Sequence, residues 1–157
     1  MTKTYFITGA EGTGKTSIIP YLKEKLLDLD IHDFDEVGVP LNPPLKWRLD
    51  TTLYWIKKAI QNQKKEISTC IIGLSFPKEI NEFKESKKIN KIDFLLLDVN
   101  IKERERRLKK RKSSKEVIKD LEQLKELKKQ FKNKKVINTS KLSIEETAKK
   151  IIKYLKK

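Results

Sequence analysis

The segment Gly9-Ala-Glu-Gly-Thr-Gly-Lys-Thr16 constrains the fold of this chain more than any other feature of the sequence. It has the pattern G-x-x-x-x-G-K-[ST] of a phosphate-binding loop. A β-rich stretch, residues 3–8, precedes it, and residues 15–28 carry apolar side chains at helical spacing. This is the strand–loop–helix context that the pattern requires, and it predicts a site for the phosphates of a nucleoside triphosphate.

The chemistry of such a loop predicts a role for most of its residues. Backbone N–H groups of the glycine-containing turn point at the phosphates, Lys15 lies on the β- and γ-phosphates, and Thr16 is a ligand of Mg²⁺. The sequence therefore predicts ATP and Mg²⁺ as cofactors. The residues expected to bind the nucleotide are Gly9, Gly12, Thr13, Gly14, Lys15, Thr16 and Ser17.

Strand-like and helix-like segments alternate along the rest of the chain. Amphipathic helical segments separate five β-rich stretches, at residues 3–8, 30–34, 69–73, 92–97 and 135–138. The length of 157 residues suits one domain. We therefore predict an α/β fold of the three-layer P-loop type, in which residues 1–157 form a single domain with a parallel sheet between helices.

The positive charge is concentrated in the second half of the chain. The net charge is +15, and residues 76–157 carry 27 basic and 13 acidic residues. An excess of this kind indicates a nucleic-acid partner, the phosphates of a small ligand, or a lysine-rich surface exposed to water. Lysine makes up most of the cations, which favours a lysine-rich surface exposed to water. The arginines are therefore the better candidates for a role in binding or catalysis.

Several classes of protein are excluded by features that the sequence lacks. No apolar run approaches the roughly 18 residues of a membrane span, and the first residues lack the pattern of a signal peptide, so a cytoplasmic protein is expected. A single cysteine, Cys70, excludes an intramolecular disulfide and a cysteine-based zinc site. No carboxylate follows the third predicted strand, so the acid that supports Mg²⁺ must come from elsewhere.

Two carboxylates and one arginine are candidates for the acceptor side of the site. Asp33 and Asp35 follow the second predicted strand, at the edge of an open α/β sheet where ligands bind. We expect Asp33 to orient Mg²⁺ or to accept the proton of an acceptor hydroxyl, and Asp35 to bind the acceptor; capping of the loop is the alternative for both. Arg48 follows a proline-rich loop and could hold an acceptor carboxylate or phosphate with its guanidinium fork.

Taken motif by motif, the chain resembles the small P-loop kinases, the group of nucleoside monophosphate, shikimate and gluconate kinases. Besides the phosphate loop, Asp33-Phe-Asp35 is similar to the D-x-D of shikimate kinases. Leu97-Asp-Val99 followed by Arg107-Leu-Lys-Lys-Arg111 looks like the strand and lid entry of the whole group. The glycine-rich third-strand motif of shikimate kinases is reduced to one glycine, so the acceptor stays open.

The resemblance covers nearly the whole chain, and it implies both a fold and a reaction. The implied strand order is 2-3-1-4-5, with a lid at about residues 101–115. The implied activity is phosphate transfer from ATP to a small hydroxylated or phosphorylated metabolite. The implied catalytic residues are Lys15, Asp33, Arg107 and Arg111, of which Arg107 also binds the nucleotide; Thr16 and Asp33 are the implied metal ligands.

A second function remains open at this point. The chain could be a nucleotide-dependent binding or regulatory protein that contacts nucleic acid through its basic C-terminal half. A kinase needs an acceptor pocket beside the γ-phosphate, whereas a nucleic-acid binder needs its lysines on one continuous exposed face. The sequence favours the kinase, so we expect a small-molecule acceptor as the partner, no membrane, and no nucleic acid.

Overall fold

The computed structural model describes residues 1–10, 12–108, 114–131 and 135–156, with the side chains of residues 114–120 left out. Within these ranges, five strands form one parallel sheet in the order β2-β3-β1-β4-β5. The strands are β1 (Thr4–Thr8), β2 (Leu29–Asp33), β3 (Ser68–Ile72), β4 (Ile92–Asp98) and β5 (Val136–Asn138). The predicted fold class and strand order are confirmed.

Helices connect the strands and cover both faces of the sheet. They are α1 (Lys15–Lys25), α2 (Leu45–Lys64), α3 (Pro77–Glu82), α4 (Ile101–Leu108), α5 (Ser114–Gln130) and α6 (Ile144–Leu155). Two short 3₁₀ turns, Phe34–Val37 and Lys84–Lys88, follow β2 and α3. Helix α4 lies in the lid predicted at about residues 101–115, but residues 109–113 of that segment, including Arg111, lie outside the described residues.

Strand β1 is the centre of the core because it pairs with β3 on one side and with β4 on the other. All five of its residues are buried. Successive side chains of a strand point to opposite faces, so Tyr5 and Ile7 pack with residues of α1 and α6, whereas Phe6 packs with residues of α2. Burial of each such side chain contributes about 1.5–3 kcal/mol. The loop after β1 therefore starts from the central, fully buried strand of the sheet.

No helix within the described ranges is both long enough and apolar enough to cross a membrane.

Candidate functional site

The phosphate loop connects β1 to α1 and leaves the N-terminus of α1 open. Gly14, the N-cap residue of α1, has a φ of 91°, a left-handed conformation that favours glycine. It has no side chain that could satisfy the first N–H groups of the helix, and these groups, together with the helix dipole, favour an anion. At Gly9 a Cβ atom would lie 2.6 Å from the carbonyl oxygen of Leu97 and 2.6 Å from Thr13 Oγ1, so Gly9 is required for packing against β4.

Two side chains of the loop turn back onto its own backbone. The Lys15 ammonium donates a hydrogen bond to the carbonyl oxygen of Ala10, at 2.8 Å. Thr13 Oγ1 donates to the same oxygen, at 2.7 Å. The positive charge of Lys15 is therefore held over the loop, at the place where the motif predicts phosphate oxygens.

A cavity of about 940 Å³ opens in front of the loop, which is within the usual range of ligand sites. One wall consists of the loop and the start of α1. A second wall comes from Arg107, Thr139 and the first residues of α6. The opposite wall consists of the segment after β2, the start of α2 and the segment after β3, namely Phe34, Asp35, Val39, Asn42, Pro43, Pro44, Trp47, Arg48 and Leu74.

The cavity brings together most of the predicted site residues within the described ranges. It is lined by Gly12, Thr13, Gly14, Lys15, Thr16, Ser17, Asp35, Arg48 and Arg107. Gly9 and Asp33 do not line it, although both are described. The placements of Asp33 and Arg48 differ from what the sequence leads one to expect.

Asp33 caps the 3₁₀ turn that follows β2. Its Oδ1 atom accepts a hydrogen bond from the Asp35 backbone N–H at 2.9 Å, while Glu36 Oε1 accepts from the Asp33 N–H at 3.1 Å. Asp is a favoured N-cap residue because its short carboxylate reaches the free N–H groups of the first turn. The carboxylate that lines the cavity is Asp35, not the Asp33 of the sequence-based expectation.

Arg48 is engaged by a carboxylate of the protein itself. Its Nε and Nη2 atoms donate to the two carboxylate oxygens of Glu79, at 3.0 and 2.6 Å. The guanidinium carbon also lies 4.6 Å from the ring centre of Phe76. Glu79 thus takes the Nε–Nη2 edge of the guanidinium and balances its charge, while the role of Arg48 in binding an acceptor carboxylate or phosphate stays a prediction.

Arg107 joins three parts of the site. Its Nη1 donates to the carbonyl oxygen of Gly12 at 2.9 Å, and its Nη2 donates to the carbonyl oxygen of Thr139 at 3.0 Å. The single hydroxyl proton of buried Thr139 is shared between the carbonyl oxygens of Thr13 and Asp98, at 3.2 and 3.1 Å. Helix α4, the phosphate loop and the segment after β5 are thus linked by hydrogen bonds.

Glu103 orients the arginine from within helix α4. The hydrogen bonds from Arg106 and Arg107 lower the pKa of Glu103 to about 2, although desolvation acts in the opposite direction. Glu103 is consequently ionised at neutral pH and holds the Arg107 Nε at 3.1 Å. Arg106 also binds Glu103 but is exposed to solvent and does not line the cavity.

Thr139 is not among the predicted site residues, although the segment Val136-Ile-Asn-Thr-Ser140 resembles the fifth strand and adenine-side loop of the small P-loop kinases. A second signal is its position directly after the last strand, where the carboxyl ends of parallel strands meet.

The sequence also contains Asn90-Lys91-Ile92-Asp93, which has the N-K-x-D pattern of guanine recognition. This segment lies at the beginning of β4, whereas the phosphate loop lies beyond the end of β1. Seven residues of β4 at about 3.3 Å each separate the two edges by roughly 20 Å. Asp93 is bound there by Lys91 and Lys135. The segment therefore cannot contact a base whose phosphates lie on the loop.

Solved structures with the same fold are small P-loop kinases and related proteins. A sugar kinase from Janibacter sp. HTCC2649 superposes with a TM-score of 0.71 at 17% identity, over 99% of this chain and 95% of that chain. The Deinococcus radiodurans tunicamycin resistance protein has a TM-score of 0.68 at 19% identity, over 99% and 96%. The Mycobacterium tuberculosis APS kinase, in complex with AMPPNP and APS, has a TM-score of 0.61 at 15% identity, over 99% and 98%.

At these identities the likeness shows the fold, and the predicted small P-loop kinase fold is confirmed. No protein-family model matches the chain. No curated protein matches its sequence.

Proposed function

We propose that the protein is an ATP-dependent phosphotransferase that acts on a small hydroxylated acceptor. The observation that carries this proposal is the cavity of about 940 Å³, which continues from the phosphate loop to a separate wall with the carboxylate of Asp35. A protein that only binds and releases a nucleotide has no need of a second compartment beside the γ-phosphate. A phosphotransferase needs one, because donor and acceptor must be held in line.

The donor side is formed by the loop and Arg107. The open N-terminus of α1 favours the phosphates of ATP. Lys15 would exchange its hydrogen bond to Ala10 for phosphate oxygens, and the guanidinium of Arg107 adds positive charge beside the loop. The predicted role of Arg111 in the same process stays a prediction, since that residue lies outside the described ones.

The oxygen atoms in the cavity suit Mg²⁺. This ion is usually bound by one or two protein ligands together with substrate phosphates and water. Among the described residues there is no cluster of three or more metal-binding side chains, but the exposed hydroxyl of Thr16 and the carboxylate of Asp35 both line the cavity. Thr16 would hold Mg²⁺ together with phosphate oxygens and water, which leaves the Asp35 carboxylate available as a base; when bound, the ion neutralises charge on the phosphates.

The acceptor side supplies a base. In the reaction, the acceptor hydroxyl oxygen forms a bond to the γ-phosphorus while the bond between that phosphorus and the leaving ADP oxygen breaks. The hydroxyl proton goes to a carboxylate within hydrogen-bonding reach. We assign this role to Asp35 because it lines the cavity, whereas Asp33 is used as a cap.

The charge around the cavity does not favour nucleic acid as the acceptor. A groove of about 440 Å³ adjoins it and shares Arg48 and Gln123 with it. The groove is also lined by four glutamates, Glu79, Glu82, Glu122 and Glu126. Arg48 and Lys78 also line the groove and balance two of these carboxylates, so two negative charges remain to oppose a phosphate backbone that would extend from the cavity in this direction.

A thermal-shift screen tests the proposal. The protein is titrated with AMPPNP and Mg²⁺, and hydroxylated metabolites and nucleosides are then added. Binding at a hundred times the dissociation constant stabilises a protein by about 2.7 kcal/mol, which raises the Tm of a chain of this size by roughly 5–10 °C. The Lys15→Ala variant should fold but lose most of this shift. An equal shift in both proteins, or none in the wild type, would contradict the proposal.

A further inference from the structure

The acceptor wall of the cavity is largely apolar, and its central side chain is held rigidly. Trp47 Nε1 donates to the carbonyl oxygen of Gly38 at 3.1 Å, so the one polar atom of the indole is already satisfied. The ring of Phe34 packs edge-on against Trp47 at 6.1 Å between ring centres. A fixed indole of this kind offers an apolar ring surface, which favours another ring or an aliphatic group as its neighbour.

The loop between the 3₁₀ turn and α2 extends this apolar surface towards solvent. Its residues Val39, Pro43 and Pro44 line the cavity. Leu41, in the same loop, is 93% exposed. The prolines restrict the backbone, which keeps Val39, Pro43 and Pro44 at the cavity wall, whereas Leu41 does not line the cavity.

The cations that line the cavity do not offer an anion site on the acceptor wall. Within the described residues, these cations are Lys15, Arg48 and Arg107. Lys15 and Arg107 lie at the phosphate loop, where they bind its carbonyl groups. Arg48 is on the acceptor wall, but Glu79 holds its fork, and both partners of this ion pair are less than one quarter exposed.

An anionic acceptor would meet an Arg48 whose charge is already balanced by Glu79, and would have to displace Glu79 to use the Nε–Nη2 edge. The ion pair is bidentate and partly shielded from water, so separating it leaves a carboxylate without its partner. The acceptor would also approach the carboxylate of Asp35, the one acidic side chain among the described lining residues. Both effects act against a carboxylate or phosphate on the acceptor and leave neutral molecules unaffected.

We propose that the acceptor is an uncharged hydroxylated compound with a planar or apolar ring that packs on Trp47. The inference rests on the proposed function, because it concerns the acceptor of the same reaction. It narrows the acceptor class from hydroxylated or phosphorylated molecules to neutral ring compounds. Trp47 selects the ring, and Glu79 excludes anions by neutralising Arg48.

The test uses two matched sets of probes, each measured by calorimetry with the protein saturated with AMPPNP and Mg²⁺. The first set is phenyl β-D-glucoside, methyl β-D-glucoside and phenyl β-D-glucuronide. The second set is uridine, D-ribose and orotidine. In each set the second compound lacks the planar ring and the third carries a carboxylate, which replaces the 6-hydroxymethyl group in the glucuronide and a ring hydrogen of the base in orotidine. We expect the neutral ring compound of at least one set to bind about tenfold more tightly than either of its analogues.

Two variants with matched controls assign the selectivity to residues. Trp47→Ala should weaken the neutral ring compound about tenfold, whereas Tyr54→Ala, an exposed aromatic residue on the same helix, should not. Glu79→Gln should reduce the discrimination against the carboxylated compound, because it frees the fork of Arg48. Glu82→Gln, on the same helix, should leave the discrimination unchanged, since Glu82 has no bond to Arg48 in the structure.

Failure of this inference is distinguishable from failure of the proposed function. If AMPPNP does not bind, the phosphotransferase proposal itself fails. If AMPPNP binds but no neutral ring probe binds at millimolar concentration, or if the carboxylated probes bind more tightly to the wild type, the inference is overturned. The affinities of the wild-type protein for the probes of each set test the inference by themselves, even where a variant does not fold.

Discussion

Replacement of Arg107 by alanine separates a functional role of this residue from a structural one. In the folded protein the side chain donates to the carbonyl oxygens of Gly12 and Thr139, at 2.9 and 3.0 Å. Hydrogen bonds from a charged group contribute about 1.5–3 kcal/mol each. Because the side chain is 21% exposed, water can replace part of this interaction, and we expect a loss of about 2–3 kcal/mol. The Tm should then fall by roughly 5–10 °C.

The same variant should lose far more turnover than this stability change explains. An arginine that stabilises the transferred phosphoryl group contributes about 10³–10⁵ in rate in some phosphotransfer enzymes. We therefore expect turnover to fall by at least about 10³-fold at a temperature where the variant is fully folded. The Arg107→Lys variant keeps the positive charge but cannot bind the carbonyl oxygens of both Gly12 and Thr139. Its turnover should therefore lie between that of the wild type and that of Arg107→Ala.

Arg106→Ala is the matched control for this experiment. Arg106 lies on the same helix and binds the same Glu103, but it is 71% exposed and does not line the cavity. Its turnover and its Tm should stay close to those of the wild type. The assay combines thermal melts, to choose a common temperature, with ADP release under saturating ATP. Normal turnover of Arg107→Ala, together with a lowered Tm, would refute the catalytic role and leave Arg107 as a structural link.

Four further substitutions probe the carboxylate in the cavity, its capping neighbour, a carboxylate on the edge strand β2 and the phosphate loop. Asp35→Asn should lower turnover by at least about 10²-fold. Asp33→Asn should lower turnover less, because asparagine at position 33 can still cap the 3₁₀ turn. Steady-state kinetics of both variants show which of the two carboxylates takes part in the reaction. Burial raises the pKa of Asp30, but hydrogen bonds from Asn62 and His32 outweigh it and hold the pKa below its ordinary value. The ionised Asp30 carboxylate therefore stabilises the folded protein at pH values above its ordinary pKa, and this stabilisation is lost as the pH falls through its lower pKa in the folded state. Between about pH 7 and about pH 3, the Tm of the wild type should consequently fall more than the Tm of Asp30→Asn. Gly9→Ala should cost about 1–3 kcal/mol in a denaturant melt, because the new Cβ would lie 2.6 Å from a backbone oxygen of β4.

The fold and the position of the phosphate loop could be predicted because their signals are local in sequence. The phosphate loop is one contiguous pattern, and the apolar run in β4 is typical of a strand buried on both faces. Lys15, Thr16 and Ser17 follow Gly14 directly, so their place at the start of α1 is fixed once the motif is recognised. Such features require no knowledge of how distant segments pack.

The cavity wall that we propose binds the acceptor could not be predicted in the same detail, because it depends on distant contacts and on small changes of backbone direction. Asp33 and Asp35 are two residues apart, and the onset of the 3₁₀ turn decides which carboxylate caps and which faces the cavity. Arg48 and Glu79 are 31 residues apart and meet only because α2 and α3 pack side by side. A sequence that shows an arginine after a proline-rich loop does not show which carboxylate will engage it.

Transfer of a radiolabelled γ-phosphate tests the central claim most directly. The protein is incubated with ATP labelled at that position, Mg²⁺ and a mixture of neutral hydroxylated ring compounds, and the products are separated by chromatography. We expect label on an organic product, with transfer reduced by at least about 10²-fold in Lys15→Ala. Release of the label only as inorganic phosphate, or equal transfer by wild type and Lys15→Ala, would contradict the account.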